Sequence, residues 1–165
     1  MNAAAFILIT ALSPSQDTRA TKAQASAHQH QVEANGDQAM GFSHKKTTHH
    51  FLLQAKGGAI QVDANSAGDQ ETRDQIQAHL GHIAKMFAEG DFNTPMLVHS
   101  VIPPGTATMT RLKADIRYSY QSSPKGGLVV LTTTNREALA AIHEFLRFQI
   151  KDHNTGDSLT VDAKG

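Results

Sequence analysis

A short unit occurs twice in this chain, and it limits the fold more than any other feature. The first copy reads HHFLLQA, then KGG, then AIQVDA, followed by a helical stretch from Gln70 to Glu89. The second reads DIRYSYQSSP, then KGG, then LVVLTTT, followed by a helical stretch from Asn135 to Lys151. In each copy a strand-forming run meets Lys-Gly-Gly, a second run returns, and an amphipathic stretch closes the unit. Gly57-Gly58 and Gly126-Gly127 are expected to supply positive φ angles to tight hairpin loops.

The helical stretches are marked by their apolar period. Ile76, Leu80, Ile83 and Phe87 form one stripe, and Leu139, Ile142, Leu146 and Ile150 form another. Gly90 suits the end of the first helix and Asn135 the N-cap of the second. A lone hairpin cannot cover its own apolar face. The two β-hairpin–helix units therefore predict a four-stranded antiparallel sheet with helices on one face, an α+β fold. Thr106 to Ala114 should add a short helix after the Pro103-Pro104-Gly105 corner.

The flanks read differently. Residues 1–15 contain the apolar run Ala3 to Leu12, too short for a membrane-spanning helix but the length of a signal-peptide core. Residues 1–15 are accordingly expected to be a signal segment, which makes the protein secreted or periplasmic. Residues 16–39, rich in Ser, Gln, Ala and Thr without hydrophobic period, are expected to be a flexible tether. Residues 40–155 are the single α+β domain, and residues 156–165 a flexible tail.

Charge and composition narrow the partners. With 15 basic and 15 acidic residues the chain lacks the Lys/Arg excess of a phosphate-tracking protein. Aromatic residues make up only 5% and Trp is absent, which disfavours a base-stacking surface. Nucleic acid is not an expected partner. There is no cysteine, so disulfides, thiolate metal sites and thiol nucleophiles are excluded.

No phosphate-binding glycine loop and no nucleophile elbow is present. His143-Glu144 opens like a zinc helix, but Arg147 stands where a second ligand would be needed. What remains is histidine, ten in all, together with methionine. His79, His82 and Met86 share a stripe of the first long helix, and His49 lies on the strand face of Phe51 and Leu53. Met96 and His99 follow in the next segment. Neutral imidazole with thioether sulfur suits a soft transition metal. The expected function is binding of such an ion by His49, His79, His82, Met86, Met96 and His99. Copper is favoured; zinc, nickel or haem iron are the other options. If the chain is cleaved after Ala27, the new terminus His28-Gln29-His30 is a second copper or nickel site.

Two rival readings stay open. One is a small-molecule or structural module, with a cleft between the helices and the Pro-Pro-Gly segment. The other is an enzyme using His82, His143 or His153 with Asp91, Glu144 or Asp152, which requires a His–carboxylate contact inside a pocket. An open four-stranded sheet also leaves edges for a homodimer.

With HKKTTHHF, RDQIQAHLGHIAKMFAEGDF, PPG and IHEFLRFQI set out, the segment from about Met40 to Asp157 resembles a group of short bacterial proteins with secretion-like N-termini. Some of these are labelled aspartate carbamoyltransferase. That enzyme is a two-domain protein of roughly twice this length, and its Ser-Thr-Arg-Thr-Arg phosphate loop has no counterpart here. The resemblance implies export and carries over no site residue.

Overall fold

The computed structural model describes residues 14–162, with side chains from Thr18 onward. Helix α1 (Pro14–Met40) leads into strands β1 (Thr47–Gln54) and β2 (Gly57–Ala64), then helices α2 (Gln70–Ala88), α3 (Asn93–His99) and α4 (Thr106–Arg111). Strands β3 (Ile116–Ser122) and β4 (Gly126–Thr133) and helix α5 (Arg136–Asp152) complete the order. The four strands form one antiparallel sheet in the order β1-β2-β4-β3, so each unit contributes its second strand to the centre. This is the α+β architecture that the duplicated unit predicts.

Alternation sorts the sheet into two faces. Phe51, Leu53, Ile60, Val62, Val129 and Leu131 point into the core, where they meet Ile76, Leu80, Ile83 and Phe87 of α2 and Ile142, Leu146 and Ile150 of α5. Each such buried side chain contributes roughly 1.5–3 kcal/mol. On the other face, Thr48, Leu52, Arg117, Gln121 and Thr132 are exposed. The caps follow the sequence: Asn135 accepts from the N–H groups of Glu137 and Ala138, and Gly90, at φ +78°, ends α2.

The paired glycines have another role than expected. They are the opening residues of β2 and β4, and of the four only Gly57 has a positive φ. Their value is close approach. A Cβ on Gly58 would lie 2.3 Å from Leu146 Cδ1, and one on Gly126 2.1 Å from Val62 O. The glycines let α5 and the neighbouring strand sit tight against the sheet.

Both flanks depart from expectation. Residues 16–39 are not a tether but lie within the continuous helix α1. Their Ala, Gln, Lys and Glu content has high helix propensity even without an apolar period. From Thr18 to His28 the helix is exposed. Beyond that, Val32 is 2% exposed, and the Asn35 amide donates to Leu97 O and Val98 O of α3 at 3.1 Å each. Nor is the described part of the tail loose. The Asp157 carboxylate accepts from the Phe51 N–H at 2.9 Å, and the Asp162 N–H donates to Leu53 O at 2.9 Å. The tail thereby lies on the outer edge of β1, one of the two edges that an open four-stranded sheet offers for pairing. Most of the expected signal segment lies outside the described residues. Among those described, no helix is long and apolar enough to cross a membrane.

Candidate functional site

Four helices and one strand end around a single interior region. The C-terminus of α1 supplies Met40, β1 supplies His49, α2 supplies His79 and the last turn of α3 supplies His99. The last turn of α5 and its C-cap supply Gln149, Asp152 and His153. Met40, His79, His99, Gln149 and His153 line a cavity of about 80 Å³ whose wall also includes Thr94 and apolar side chains such as Val98 and Phe145. A groove of about 220 Å³ between α1 and β1, lined by Glu33, His44 and His49, shares Met40 and His153 with that cavity.

The rings are stacked in sequence. His153 lies parallel to His49 with centroids 6.0 Å apart, and 5.4 Å from the Phe51 ring. It meets the His99 ring edge-on at 4.8 Å. Phe42 touches both His49, at 6.5 Å, and His79, at 5.7 Å. His49 Nε2 is 3.3 Å from Met40 Sδ. Among the described residues, neither His79 nor His153 has a ring hydrogen bond.

This environment keeps three imidazoles neutral. Burial, reinforced by the His79 ring, lowers His49 from 6.5 to about 4. Burial, with His82 one turn away, lowers His79 to about 4. Burial, with His99 and His49 beside it, lowers His153 to about 3.

His99 differs, because it is held on both sides. It is 2% exposed; Nδ1 lies 2.5 Å from Asp152 Oδ2 and Nε2 lies 2.9 Å from Gln149 Oε1. The other Asp152 oxygen meets His28 Nε2 at 2.8 Å. Burial opposes ionisation of Asp152, but the hydrogen bonds from His28 and His99 outweigh it and hold its carboxyl below the usual range. A chain of polar groups thus runs from the surface at His28 to the cavity wall at Gln149. Gln149 is itself 4% exposed, and its Nε2 has no hydrogen-bond partner.

The sequence-derived ligand set is only partly assembled. His49, His79 and His99 reach this region. His82 does not; it is exposed and lies in a surface hollow with Tyr118 and Tyr120. The helical stripe placed it beside His79, but the sheet covers only one side of α2. Met96 is 36% exposed, beside Ile102 and Pro103 in a different surface hollow. Met86 packs against the core, with its sulfur 3.8 Å from Thr94 Oγ1. Among the described residues no three His, Asp or Glu side chains converge as a ready-made metal-holding group. His143 is a core residue whose Nε2 faces Gln54 O and Gly57 O at 2.9 Å each, pinning the first hairpin to α5. His30 faces Glu33 on the same helix, at 3.6 Å, and His28 is engaged with Asp152.

Met40 and Gln149 were not legible as partners of these histidines, and Asp152, a candidate carboxylate in the sequence, meets His99 and His28 rather than His82, His143 or His153. One signal was present. Gln149 breaks the apolar stripe between Leu146 and Ile150, where a polar side chain must face the interior. The chain matches no family model, no curated protein and no solved structure.

Proposed function

We propose that this domain binds a soft, low-charge transition-metal ion of the copper(I) class, with Met40 and His49 as its first two donors. The contact of 3.3 Å between His49 Nε2 and Met40 Sδ carries this reading. An ion about 2.0 Å from the nitrogen and 2.3 Å from the sulfur would see the two at an angle of about 100°, close to tetrahedral. His153, stacked beside His49, and His79, across Phe42, are neutral imidazoles without hydrogen-bond partners and can complete the shell by ring rotation.

Elimination supports the same class. Among the described residues no Lys or Arg lines the cavity or the groove, so a buried anion would lack compensation. Hard cations need several oxygen ligands, which this donor set does not offer. A cavity of about 80 Å³ is far below the roughly 300–1,000 Å³ of drug-sized ligand sites, too little for a haem unless its walls move. A soft monovalent ion suits neutral nitrogen and sulfur donors. The accompanying reading, that the chain is exported, rests on the Ala3 to Leu12 run and on the resemblance to proteins with secretion-like N-termini.

The test is anaerobic titration with copper(I) against a chromophoric chelator. One equivalent should bind, with a sulfur scatterer at about 2.3 Å by X-ray absorption. Met40→Ala with His49→Ala should weaken binding at least about a hundredfold. Equal copper uptake by the double variant, or no sulfur in the shell, would sink the reading.

The His99–Asp152 contact beside the cavity is the specific observation behind a second reading, acid–base chemistry at His99. The Gln149 amide occupies the Nε2 side of the ring, so a substrate must first displace it.

A further inference from the structure

We infer that the groove between α1 and β1 carries a second metal site, for a borderline divalent cation such as zinc(II), with His30, Glu33 and His44 as its ligands. It shares no donor with the copper(I) reading and does not rest on it. Glu33 Oε2 lies 3.6 Å from His30 Nδ1 and 3.5 Å from His44 Nε2. Both separations exceed the roughly 2.7–3.2 Å of a nitrogen–oxygen hydrogen bond. They are close to the spacing of about 3.3 Å between two donors that share a tetrahedral zinc at about 2.0 Å. The other exposed pairs leave no such gap, since His28–Asp152 and His50–Asp157 close at 2.8 Å each.

The remaining contacts of these side chains aim the donors. Glu33 Oε1 accepts from the Gln29 amide at 3.1 Å, so Oε2 is the oxygen turned to the imidazoles. Asp37 Oδ1 lies 2.9 Å from His44 Nδ1 and accepts the His44 backbone N–H at 2.6 Å. A carboxylate only accepts, so Nδ1 carries the ring hydrogen and Nε2 of the neutral ring presents its lone pair to Glu33. Turning the ring over would forfeit the Asp37 contact and point carbon at both carboxylates. Two acceptors facing each other at 3.5 Å need a cation between them, either a proton or a metal ion. The Asp37–His44 pair is the carboxylate–imidazole arrangement that orients ligating histidines. His30, Glu33 and Asp37 fall at i, i+3 and i+7 of α1, and His44 comes from the turn before β1, so the ion would bridge the two. Closing the shell takes an inward turn of the His30 side chain, which is 78% exposed, and a water as fourth ligand. Two imidazoles and one carboxylate suit zinc(II), whereas copper(I) would find no thioether among these three.

Zinc(II) is titrated into the full-length, copper-free protein and followed by calorimetry and zinc-edge X-ray absorption. One equivalent should bind, with two imidazoles and one carboxylate oxygen at about 2.0–2.2 Å. Glu33→Gln and His44→Ala should each weaken binding at least about tenfold, and Asp37→Asn about tenfold through the orientation of His44. If the alanine variant does not fold, His44→Gln serves. Met40→Ala with His49→Ala should leave zinc affinity unchanged, which separates this site from the proposed copper(I) donors. An absence of saturable zinc uptake would overturn the inference and leave a proton as the cation between Glu33 and His44. Unchanged affinity in Glu33→Gln would also overturn it, as would a shell without imidazole or zinc binding lost with Met40 and His49.

Discussion

Asp152 and His99 meet at 2.5 Å although 53 positions separate them in the chain. The carboxylate sits at the end of α5 and the imidazole at the end of α3, so this contact fastens two helices across the mouth of the cavity. Its partner on the other side, His28, is largely exposed. The two halves of the chain His28–Asp152–His99 should therefore differ in energy. Asp152→Ala leaves His99 buried without its acceptor and should cost about 2–3 kcal/mol. His28→Ala removes an exposed pair and should cost less than about 1 kcal/mol. Urea denaturation at neutral pH distinguishes them; equal costs would contradict the assignment of His99 as the buried member.

Acid should destabilise the metal-free protein earlier than its carboxylates alone would. His49, His79 and His153 stay neutral in the folded chain down to about 4, 4 and 3, whereas the unfolded chain takes up protons through 6.5. Their contribution is complete above about 6.5 and is lost as the pH falls towards 4, by about 3 kcal/mol for each ring. The lowered carboxyls of Asp152 and Asp157 add a separate loss below the ordinary carboxyl value of 3.8. Urea midpoints at pH 7.5, 5.5 and 4.5 should decline steadily, and His153→Phe should flatten the decline. A level profile across that range would be the contrary result.

Two glycines with similar backbone angles should respond differently to a methyl group. Gly105 has φ +83° and a Cβ there would lie 2.2 Å from Ala141 O, in the middle of α5. Gly156 has φ +77°, and a Cβ there would meet nothing within 4 Å among the described residues. Gly156→Ala meets only the left-handed penalty, roughly 1–2 kcal/mol. Gly105→Ala adds a backbone clash and should exceed about 3 kcal/mol, separating α4 from α5. Thermal melts of the two variants make the comparison.

The docking of α1 should depend on few residues. Val32 is its deeply buried apolar anchor, and Asn35 reaches Leu97 O, Val98 O and Ser100 Oγ. Asn35→Ala with Val32→Ala should speed tryptic cleavage at Arg19 and Lys22 severalfold, since local opening exposes the helix. It should also loosen the Met40 contact and so weaken copper(I) binding. Unchanged proteolysis would show that α1 is held by something else.

Much of the scaffold was legible residue by residue, because its signals are local. The stripe Ile76, Leu80, Ile83 and Phe87 marks α2 by period alone, and Asn135 marks the start of α5 by its capping chemistry. Helix α1 was harder. It has no apolar stripe, and its polar Ala/Gln composition is shared with flexible segments, so helix propensity was outweighed by the missing period. His82 was misplaced for a related reason: a helical stripe says which residues are neighbours, not where the covering sheet stops.

By itself the sequence determined the strand–turn–strand–helix repeat, the buried faces and the helix ends, since each depends on spacings of a few residues. Tertiary structure alone decided which histidines became one site. Met40, His49, His79, His99 and His153 lie on five separate elements, and their meeting depends on the order β1-β2-β4-β3 and the packing of α3 and α5. Contacts between distant positions leave no local period or cap behind, so only the closed core could bring the His49 nitrogen to the Met40 sulfur.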